Sequence, residues 1–547
     1  MNATPTELVK KLTVPEQNLS KLTFCDGRKP SHVKNWLGSL HLTQIMPSAA
    51  SLYRAIPEIP RLKCDAKTRL EILELMRQPL QSIARGLTKE FLNQPVLLPE
   101  SSKKTAIITL ALYKHLLDGY LAVVSELTTK KMTKGKYQDI YGLSIHRTLA
   151  AIGLLLLRSN QMYSPIPKGL WQNAHTLFQL AETFGLSDFV AQDEYNLVNS
   201  HDASTTFIRS NYARILMLDC SHPNQLGQND LSSLYDAFEK WSAYLKLINY
   251  VPDNSSVYWL IDTNTDSGPY NKTRPYGNDE LKTGTNGIKS IILSDLIAKL
   301  DRINKELRIP LSPILLDHLK YCWALSIPRP EERRRTKGEA EVIIGLADIH
   351  LMLSQNKSFE NFLNHDSNDN GEDISLQGIT PNKNFDTTAN KDGSYSKHVV
   401  TVQNMSKGGF CVLWKGETPN KLEAGEILAL KDTSNRPPLI CAVRWLRLCK
   451  QGVQLGLQII TDKATPFAVA QTYDTGGYAD FTRALYVPAS SVNDNPATLL
   501  TFVKPFQAGD RIKIHNGKEP STVYLSDSLY ATRCIQQFSF SSSDKGT

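Results

Sequence analysis

Apolar residues in the first 320 positions recur at helical spacing. In residues 103–127 they follow one another at four-residue steps and therefore share one face of a helix. These residues are Ile108, Leu112, Leu116, Tyr120 and Val124. The same pattern predicts helices at 70–92, 146–158, 170–184 and 231–247, joined by short connections. We therefore predict that residues 1–253 form a packed α-helical module.

The pattern changes after residue 253. Residues 257–261 are a short apolar, β-branched and aromatic run typical of a strand, and a stretch rich in Asp, Thr, Asn, Gly and Pro follows it. Helical spacing returns after Ser294. Residues 254–326 are therefore predicted to form a mixed α/β connecting region.

Short apolar runs separated by Gly- or Pro-containing turns dominate the segment 327–462. They predict strands at 409–414, 426–430, 439–448 and 453–460, which is the pattern of a small antiparallel barrel. An earlier run predicts a first strand at 340–346 that continues into 347–354. Between these parts, residues 355–397 are rich in Asn, Asp, Ser, Lys and Gly. Such a segment buries too little apolar surface to offset its ordering entropy, so we predict a disordered insertion.

The C-terminal region, 463–547, also predicts strands, at 482–487, 498–503, 511–515, 522–525 and 535–540. Residues 422–430 and 506–514 share an Ala-Gly-acid turn that enters an alternating strand. This similarity favours a second barrel without ligand arginines, which would serve as a scaffold for partners. Chance similarity is the alternative, because Gly-acid turns before strands are common.

Two polar phrases lie on either side of the insertion. Arg329 and Arg333 are four residues apart in an arginine cluster that continues through Arg334 and Arg335. A guanidinium group bonds phosphate or the guanine O6/N7 edge in pairs, and its face stacks on a base. The alternative is that the cluster is a solvated surface that attracts anions in general.

The second phrase contains Asn404, Ser406 and Gly409 in an N-x-S-x-x-G pattern. Asn and Ser offer short polar groups for a base edge or a neighbouring amide. Gly408 and Gly409 permit positive φ and a close approach of the backbone to a ligand. The alternative is an ordinary hairpin turn, because these residue types are common in turns.

Together the two phrases resemble the two-part signature of PilZ domains, and the phrases at 422–426, 443–445 and 455–457 resemble later strands of that family. The resemblance implies a small β-barrel that binds cyclic di-GMP. The implied ligand-binding residues are Arg329, Arg333, Arg334, Asn404, Ser406 and Gly409. About seventy residues separate Arg335 from Asn404, far more than in a compact PilZ domain, so the register of the arginines stays open. Among these arginines, Arg333 is the one that we most expect to bind the ligand.

Charge, apolar runs, cysteines and catalytic motifs exclude several classes of function. The chain has 547 residues, is 41% hydrophobic, and carries a net charge of +8 from scattered Lys and Arg, without the aromatic interleaving of a nucleic-acid platform. Residues 1–23 contain no signal-peptide pattern, and the longest apolar run, 149–157, is too short to span a bilayer. The eight cysteines form no C-x-x-C pair, and the chain contains no H-E-x-x-H or G-x-S-x-G motif. We therefore expect no enzyme activity, no metal and no cofactor, in a cytoplasmic protein.

The resulting prediction is an α+β multidomain receptor for cyclic di-GMP: a helical module, a PilZ-type barrel and a β-rich C-terminal region. Nucleotide binding would be converted into contact with a protein partner. By family analogy, that partner belongs to the type IV pilus machinery, and the process is motility or surface attachment. The first alternative is a degenerate PilZ-like adaptor that binds no nucleotide. The second is a hydrolase or nucleic-acid-binding protein that uses the basic cluster.

Overall fold

The computed structural model describes residues 3–191, 206–250, 259–271, 287–324, 333–363, 394–432, 436–473, 475–489, 496–503 and 505–542. The chain divides into two compact units. The first comprises residues 1–94, 98–223 and 228–328, and the second comprises 95–97, 224–227 and 329–547.

The first unit is mainly helical. Its described residues form α1 Pro5–Val9, α2 Pro30–Gly38, α3 Ile45–Ala55, α4 Ala66–Thr88, α5 Glu100–Thr129, α6 Gln138–Gln161, α7 Leu170–Thr183, α8 Ile208–Cys220, α9 Gln228–Trp241, α10 Ser294–Lys305 and α11 Pro313–Ala324. Single turns of 3₁₀ helix in this unit cover Ile56–Glu58, Gly135–Tyr137 and Ser242–Tyr244, and a further turn, Pro223–Gln225, begins at its residue 223. The predicted helical module is therefore confirmed.

The helices begin and pack as the sequence indicates. The Asp65 side chain caps α4 by accepting a hydrogen bond from the Thr68 backbone N–H at 3.0 Å. Pro79 lies inside α4 without ending it. On α5, the side chains predicted to share a face include Leu116 and Tyr120, which are 3% and 0% exposed.

The described part of this unit also contains two small sheets of short strands. Val190–Ala191 (β1) pairs with Thr206–Phe207 (β2). A four-stranded antiparallel sheet has the order β3-β6-β4-β5, in which β3 is Lys246–Asn249, β4 is Trp259–Asp262, β5 is Tyr270–Asn271 and β6 is Ile288–Ile292. Of the strand predicted at 257–261, residues 259–261 lie in β4, and 257–258 fall outside the described residues.

The helix predicted at 231–247 was wrong at its C-terminal end. Helix α9 stops at Trp241, and Lys246–Asn249 is already a strand. Strand β3 pairs with β6 about forty residues later. A long-range partner of this kind overrides local helical spacing.

Two helices of the first unit are long and apolar enough to cross a membrane by length and composition. They are Glu100–Thr129 and the segment Gly135–Gln161, and 67% and 78% of their most apolar windows is buried within the protein. Core helices of globular proteins meet the same criteria, so this observation is weak evidence for a membrane span.

The second unit contains two closed six-stranded barrels. The first has the strand order β10-β11-β12-β9-β8-β7 with every pairing described antiparallel. Its strands are β7 Arg334–Ile344, β8 His398–Ser406, β9 Gly409–Trp414, β10 Ile427–Lys431, β11 Leu439–Cys449 and β12 Gly452–Thr461. The predicted antiparallel barrel is thus confirmed.

The region around the insertion required correction. The first strand begins six residues earlier than predicted, and residues 347–353 belong to helix α12, Leu346–Leu353, rather than to a strand. Gly345 separates the two elements with a φ of +92°, a value that ends a strand. Helix α13, Phe359–Leu363, lies within the segment predicted to be disordered, and residues 364–393 of that segment fall outside the described residues. Strand β8 was not predicted.

The second barrel has the order β13-β14-β15-β18-β17-β16. Its strands are β13 Thr465–Gln471, β14 Thr482–Val487, β15 Thr498–Phe502, β16 Arg511–His515, β17 Pro520–Ala531 and β18 Ile535–Ser542. A shared apolar core joins it to the first barrel through Ile349 of α12, Ile427 of β10 and Leu485 of β14, each fully buried. The second barrel suggested by the repeated Ala-Gly-acid turn is present.

A cavity of about 410 Å³ beside this shared core is bordered by Glu426. The residue retains some contact with solvent there, but the surrounding protein desolvates its carboxylate. Burial raises the pKa of Glu426 from 4.5 to about 7, against the lowering effect of the hydrogen bond from the Ile427 backbone N–H.

Replacing Glu426 by Gln is expected to stabilise the protein at pH 8 and to change its stability little at pH 4.5. The unfolded chain ionises this group near pH 4.5 and the folded protein only near pH 7, so folding loses stability as the pH rises between these values. The expected gain at pH 8 is about 1–3 kcal/mol in the free energy of unfolding, measured by urea denaturation. Glu423→Gln, at a neighbouring carboxylate 3.5 Å from Arg533, is the control and should show no such gain. Equal effects of Glu426→Gln at both pH values would contradict the prediction.

Candidate functional site

A tight turn at Lys407 and Gly408 joins β8 to β9. Ser406 and Gly409 pair directly across it, and the Ser406 hydroxyl donates to the Gly409 carbonyl oxygen at 3.5 Å. The Gly408 carbonyl accepts a hydrogen bond from the Ile459 backbone N–H on β12 at 3.0 Å. The N-x-S-x-x-G phrase is therefore the end of one strand, a hairpin turn and the start of the next strand.

Gly409 is required for a reason that the sequence did not reveal. Its φ is not in the positive range that favours glycine. A Cβ atom at this position would lie 2.0 Å from the backbone carbonyl oxygen of Leu457 on the neighbouring strand. The glycine thus permits close packing of β9 against β12 rather than an unusual turn conformation.

The arginine cluster lies beside the Asn404 end of this hairpin. Arg334 and Arg335 are the first residues of β7 and pair with Met405 and Asn404 of β8. The Arg333 Nη1 donates a hydrogen bond to the Asn404 Oδ1 at 3.4 Å. Strand pairing therefore brings the two phrases together although about seventy residues separate them in sequence.

The strand register distributes the three arginines between two faces. Successive side chains of a strand point to opposite faces, and paired residues of adjacent strands share a face. Arg335 thus lies on the face of Asn404, and Arg334 lies on the other face with Met405. The contact of Arg333 with Asn404 places it on the same side as Arg335. Arg329 falls outside the described residues.

One row of paired residues crosses five strands of the barrel on the Asn404 face. The pairings run from Arg335 to Asn404, Cys411, Gly456 and Trp445, on β7, β8, β9, β12 and β11. A Cβ atom on Gly456 would lie 1.9 Å from the Trp445 Nε1, so the indole ring covers this glycine. The row therefore has cationic and amide groups at one end and an aromatic ring at the other.

Cys411 lies in the middle of this row and is 5% exposed. Burial raises the pKa of its thiol, while the charge of Arg333 and a hydrogen bond with the Asn404 side chain lower it. The neighbouring Gln403 Oε1 accepts hydrogen bonds from the Gln454 Nε2 at 3.0 Å and from the Cys411 Sγ at 3.6 Å. These hydrogen bonds hold the polar side chains next to Asn404 in place.

The charge of the site is strongly positive. Arg333, Arg334, Arg335 and Lys337 place four cations within five residues, and all four side chains are exposed. None of the three arginines forms an ion pair with a residue that the structure describes. An exposed guanidinium cluster beside an amide, with an indole at the other end of the same row, suits a ligand that combines anionic groups with a planar ring. Within the described ranges, no cluster of three or more His, Cys, Asp or Glu suitable for a metal ion occurs.

Comparison with known families accounts for nearly the whole chain. The first unit matches the "Cyclic-di-GMP receptor FimW, N-terminal domain" over residues 31–253. The "Cyclic-di-GMP receptor FimW, middle PilZ domain" matches residues 259–388 and 372–466, which include the first barrel. The "FimW C-terminal beta-barrel domain" matches residues 467–543.

The chain belongs to the PilZ-domain family. A relative from Pseudomonas aeruginosa, named "Cyclic-di-GMP receptor FimW", is 27% identical over 581 aligned positions that cover 97% of this chain and 93% of the relative. No solved structure gives a significant match. The first barrel, β7 to β12, is hereafter the PilZ barrel.

Sequence reasoning did not assign a site role to Arg335, Cys411, Gly456 or Trp445. The phrases 443–445 and 455–457 were recognised only as resembling strands of PilZ domains. The roles of these residues depend on register across four strand pairings, three of which, β7–β8, β8–β9 and β11–β12, contain irregularities. A one-residue shift of register moves a side chain to the opposite face, so sequence spacing alone could not place them in one row.

Proposed function

We propose that this protein is a cyclic di-GMP receptor that binds the nucleotide at the β7–β8–β9 end of its PilZ barrel. The observation that carries the proposal is the hydrogen bond between Arg333 and Asn404, which unites the arginine cluster with the N-x-S-x-x-G hairpin. The relative named as a cyclic di-GMP receptor is similar along nearly its whole length.

In this proposal, the arginines bind the anionic and purine parts of the ligand. Arg333 and Arg335 lie on the Asn404 face, where their guanidinium groups pair with phosphate oxygens or stack on a guanine. Arg334 extends the positive rim from the other face of β7. Asn404 offers an amide to a base edge, and Ser406 holds the hairpin in which Gly409 lies.

Trp445 supplies the other end of the binding surface. Its indole lies over Gly456, in register with Cys411 and Asn404. Stacking of a base on an aromatic ring contributes about 1–3 kcal/mol and needs no particular base edge. Trp445 would therefore strengthen binding, while Asn404 and the arginines would supply selectivity for guanine.

The proposed output is a contact with another protein rather than a chemical reaction. Both barrels share one apolar core through α12, so the second barrel is packed firmly against the barrel that carries the nucleotide site. It is therefore a suitable scaffold for a partner. We place this activity in the cytoplasm, where a cyclic dinucleotide messenger is available. Type IV pili, motility or surface attachment is the proposed process. Binding of the ligand by the arginines would favour one arrangement of the protein and so bias the partner-binding state.

Calorimetric titration of the full-length protein with cyclic di-GMP tests the proposal. We expect a dissociation constant of about 10 μM or lower for cyclic di-GMP. Cyclic di-AMP and GTP should bind at least about tenfold more weakly, because cyclic di-AMP lacks the guanine edges and GTP lacks the second guanine and the ring of two phosphodiesters. Ser406→Ala should weaken binding through loss of the hairpin contact. Absence of heat with the wild-type protein would contradict the receptor and support an adaptor that binds no nucleotide. Equal binding of all three nucleotides would indicate a general anion surface.

A further inference from the structure

A polar cavity of about 310 Å³ lies among the helices of the first unit. Residues of α4, α5, α6, α8 and α9 line it. Interfaces between helices are normally filled by closely packed side chains, whereas cavities of this size with a few convergent polar groups are typical of small-molecule sites. The cavity is separate from the proposed nucleotide site, which lies in the second unit.

One face of α6 forms a wall of the cavity. Arg147 and Arg158 are eleven residues apart on this helix, so a rise of about 16 Å along the helix axis separates them. Between them, Ala150 and Leu154 also line the cavity at helical spacing. The small alanine leaves room in the middle of the wall, and guanidinium groups stand at both ends.

Carboxylates compensate three of the four arginines that line the cavity. Glu74 accepts hydrogen bonds from the Arg147 Nε at 3.3 Å, and its carboxylate lies 3.3 Å from the Arg77 Nε. On the opposite side, the Arg214 Nη1 lies 2.9 Å from the Glu239 carboxylate. Buried guanidinium groups need such partners because removal from water is costly.

Arg158 is different. Its Nη1 donates to the neutral amide oxygen of Gln161 at 2.5 Å, and its buried Nε has no hydrogen-bond partner in the part of the chain that the structure describes. It forms no ion pair with a described residue. Burial lowers the pKa of Arg158, whereas the nearby Tyr113, Tyr235 and Asp236 raise it. Arginine nevertheless stays charged in proteins, so this side chain presents to the cavity a cation that makes no direct ion pair with a described carboxylate.

We propose that this cavity binds a small organic anion whose phosphate or carboxylate group pairs with Arg158. The apolar part of the ligand lies against Ala150 and Leu154 on α6. The hydroxyl groups of Tyr113 and Ser232, which also line the cavity, are available as further hydrogen-bond donors. The volume suits a compact metabolite.

Thermal unfolding of the full-length protein tests this site with defined probes. AMP represents a phosphate monoester, and citrate represents a carboxylate. Sodium chloride at matched ionic strength controls for general salt effects. One of the two anions is expected to raise the unfolding temperature of the wild-type protein by about 3 °C at ten times its dissociation constant. The anion that does so identifies the chemistry of the natural ligand.

Two variants separate binding from folding. Arg158→Gln removes the charge and should abolish the shift, while the unfolding temperature without a probe stays equal or rises, because a buried cation without a direct ion pair is lost. Ala150→Leu keeps Arg158 but fills the cavity, and it should also abolish the shift. Arg308→Gln, at an exposed arginine of the same unit, should retain it. No shift in the wild type with either anion, or an undiminished shift in Arg158→Gln, would overturn the proposal.

Discussion

Replacing Arg333 by alanine is expected to weaken the binding of cyclic di-GMP by about 10- to 150-fold. Hydrogen bonds to charged groups contribute about 1.5–3 kcal/mol each, and every 1.4 kcal/mol corresponds to a tenfold change in affinity. Arg333 is the arginine whose guanidinium contacts Asn404, so its loss removes one wall of the proposed site. Isothermal titration calorimetry of the full-length variant measures the effect.

Two further substitutions sharpen this experiment. Arg333→Lys retains the charge but loses the planar fork, so an intermediate affinity is expected if paired bonds to phosphate or guanine matter. Arg511→Ala removes an exposed arginine from a strand of the second barrel and should leave the affinity unchanged. If Arg333→Ala binds as tightly as the wild type, the arginine half of the site is wrong, whereas an equal loss in Arg511→Ala would indicate nonspecific attraction of the nucleotide.

Replacing Gly409 by alanine is expected to lower the free energy of unfolding of the second unit by about 2–4 kcal/mol and to abolish nucleotide binding. Its Cβ would lie 2.0 Å from the Leu457 carbonyl oxygen, and a backbone atom of a paired strand cannot move aside as a flexible side chain can. Relief of this clash must separate β9 from β12 and distort the hairpin that holds Asn404. Urea denaturation and calorimetry together measure the two losses.

Gly338 provides a matched control. It is also a strand glycine of the PilZ barrel, but a Cβ atom there would meet no atom within 4 Å. Gly338→Ala should therefore leave the stability equal or slightly higher, since alanine reduces the conformational freedom of the unfolded chain. A similar loss of stability in both variants would show that the close approach at Leu457 is not the cause.

The sequence predicted most of the fold because its signals are local. Helical spacing located α4, α5 and α6, and alternating runs between turns located four strands of the PilZ barrel. The failures lie where a distant partner decides the structure. Residues 246–249 are a strand because β6 pairs with them, and residues 398–403 were not assigned although Val400 and Val402 alternate in the manner of a half-buried strand. At Gly345, a positive φ ends β7, and a helix follows directly. The residues of that helix form a short apolar run, and such a run alone does not show whether a segment is a helix or a strand.

The candidate site was less predictable than the fold. Asn404, Ser406 and Gly409 are close in sequence, so their hairpin could be inferred from turn chemistry. The register of the arginines could not be inferred from the sequence, because it depends on the pairing of β7 with β8 across the insertion. That pairing places Arg335 opposite Asn404 and turns Arg334 to the other face. The same long-range register aligns Cys411, Gly456 and Trp445, which carry no shared sequence motif.

The closure of both barrels restricts how a partner can recognise this protein. An open sheet offers a row of unpaired backbone N–H and C=O groups to which an extended peptide can add as an extra strand. In each barrel, every strand already has a neighbour on both sides. A partner that docks on either barrel must therefore contact side chains and loops rather than strand backbone. Specificity for that partner resides in the outward-pointing side chains of the strands and in the loops between them.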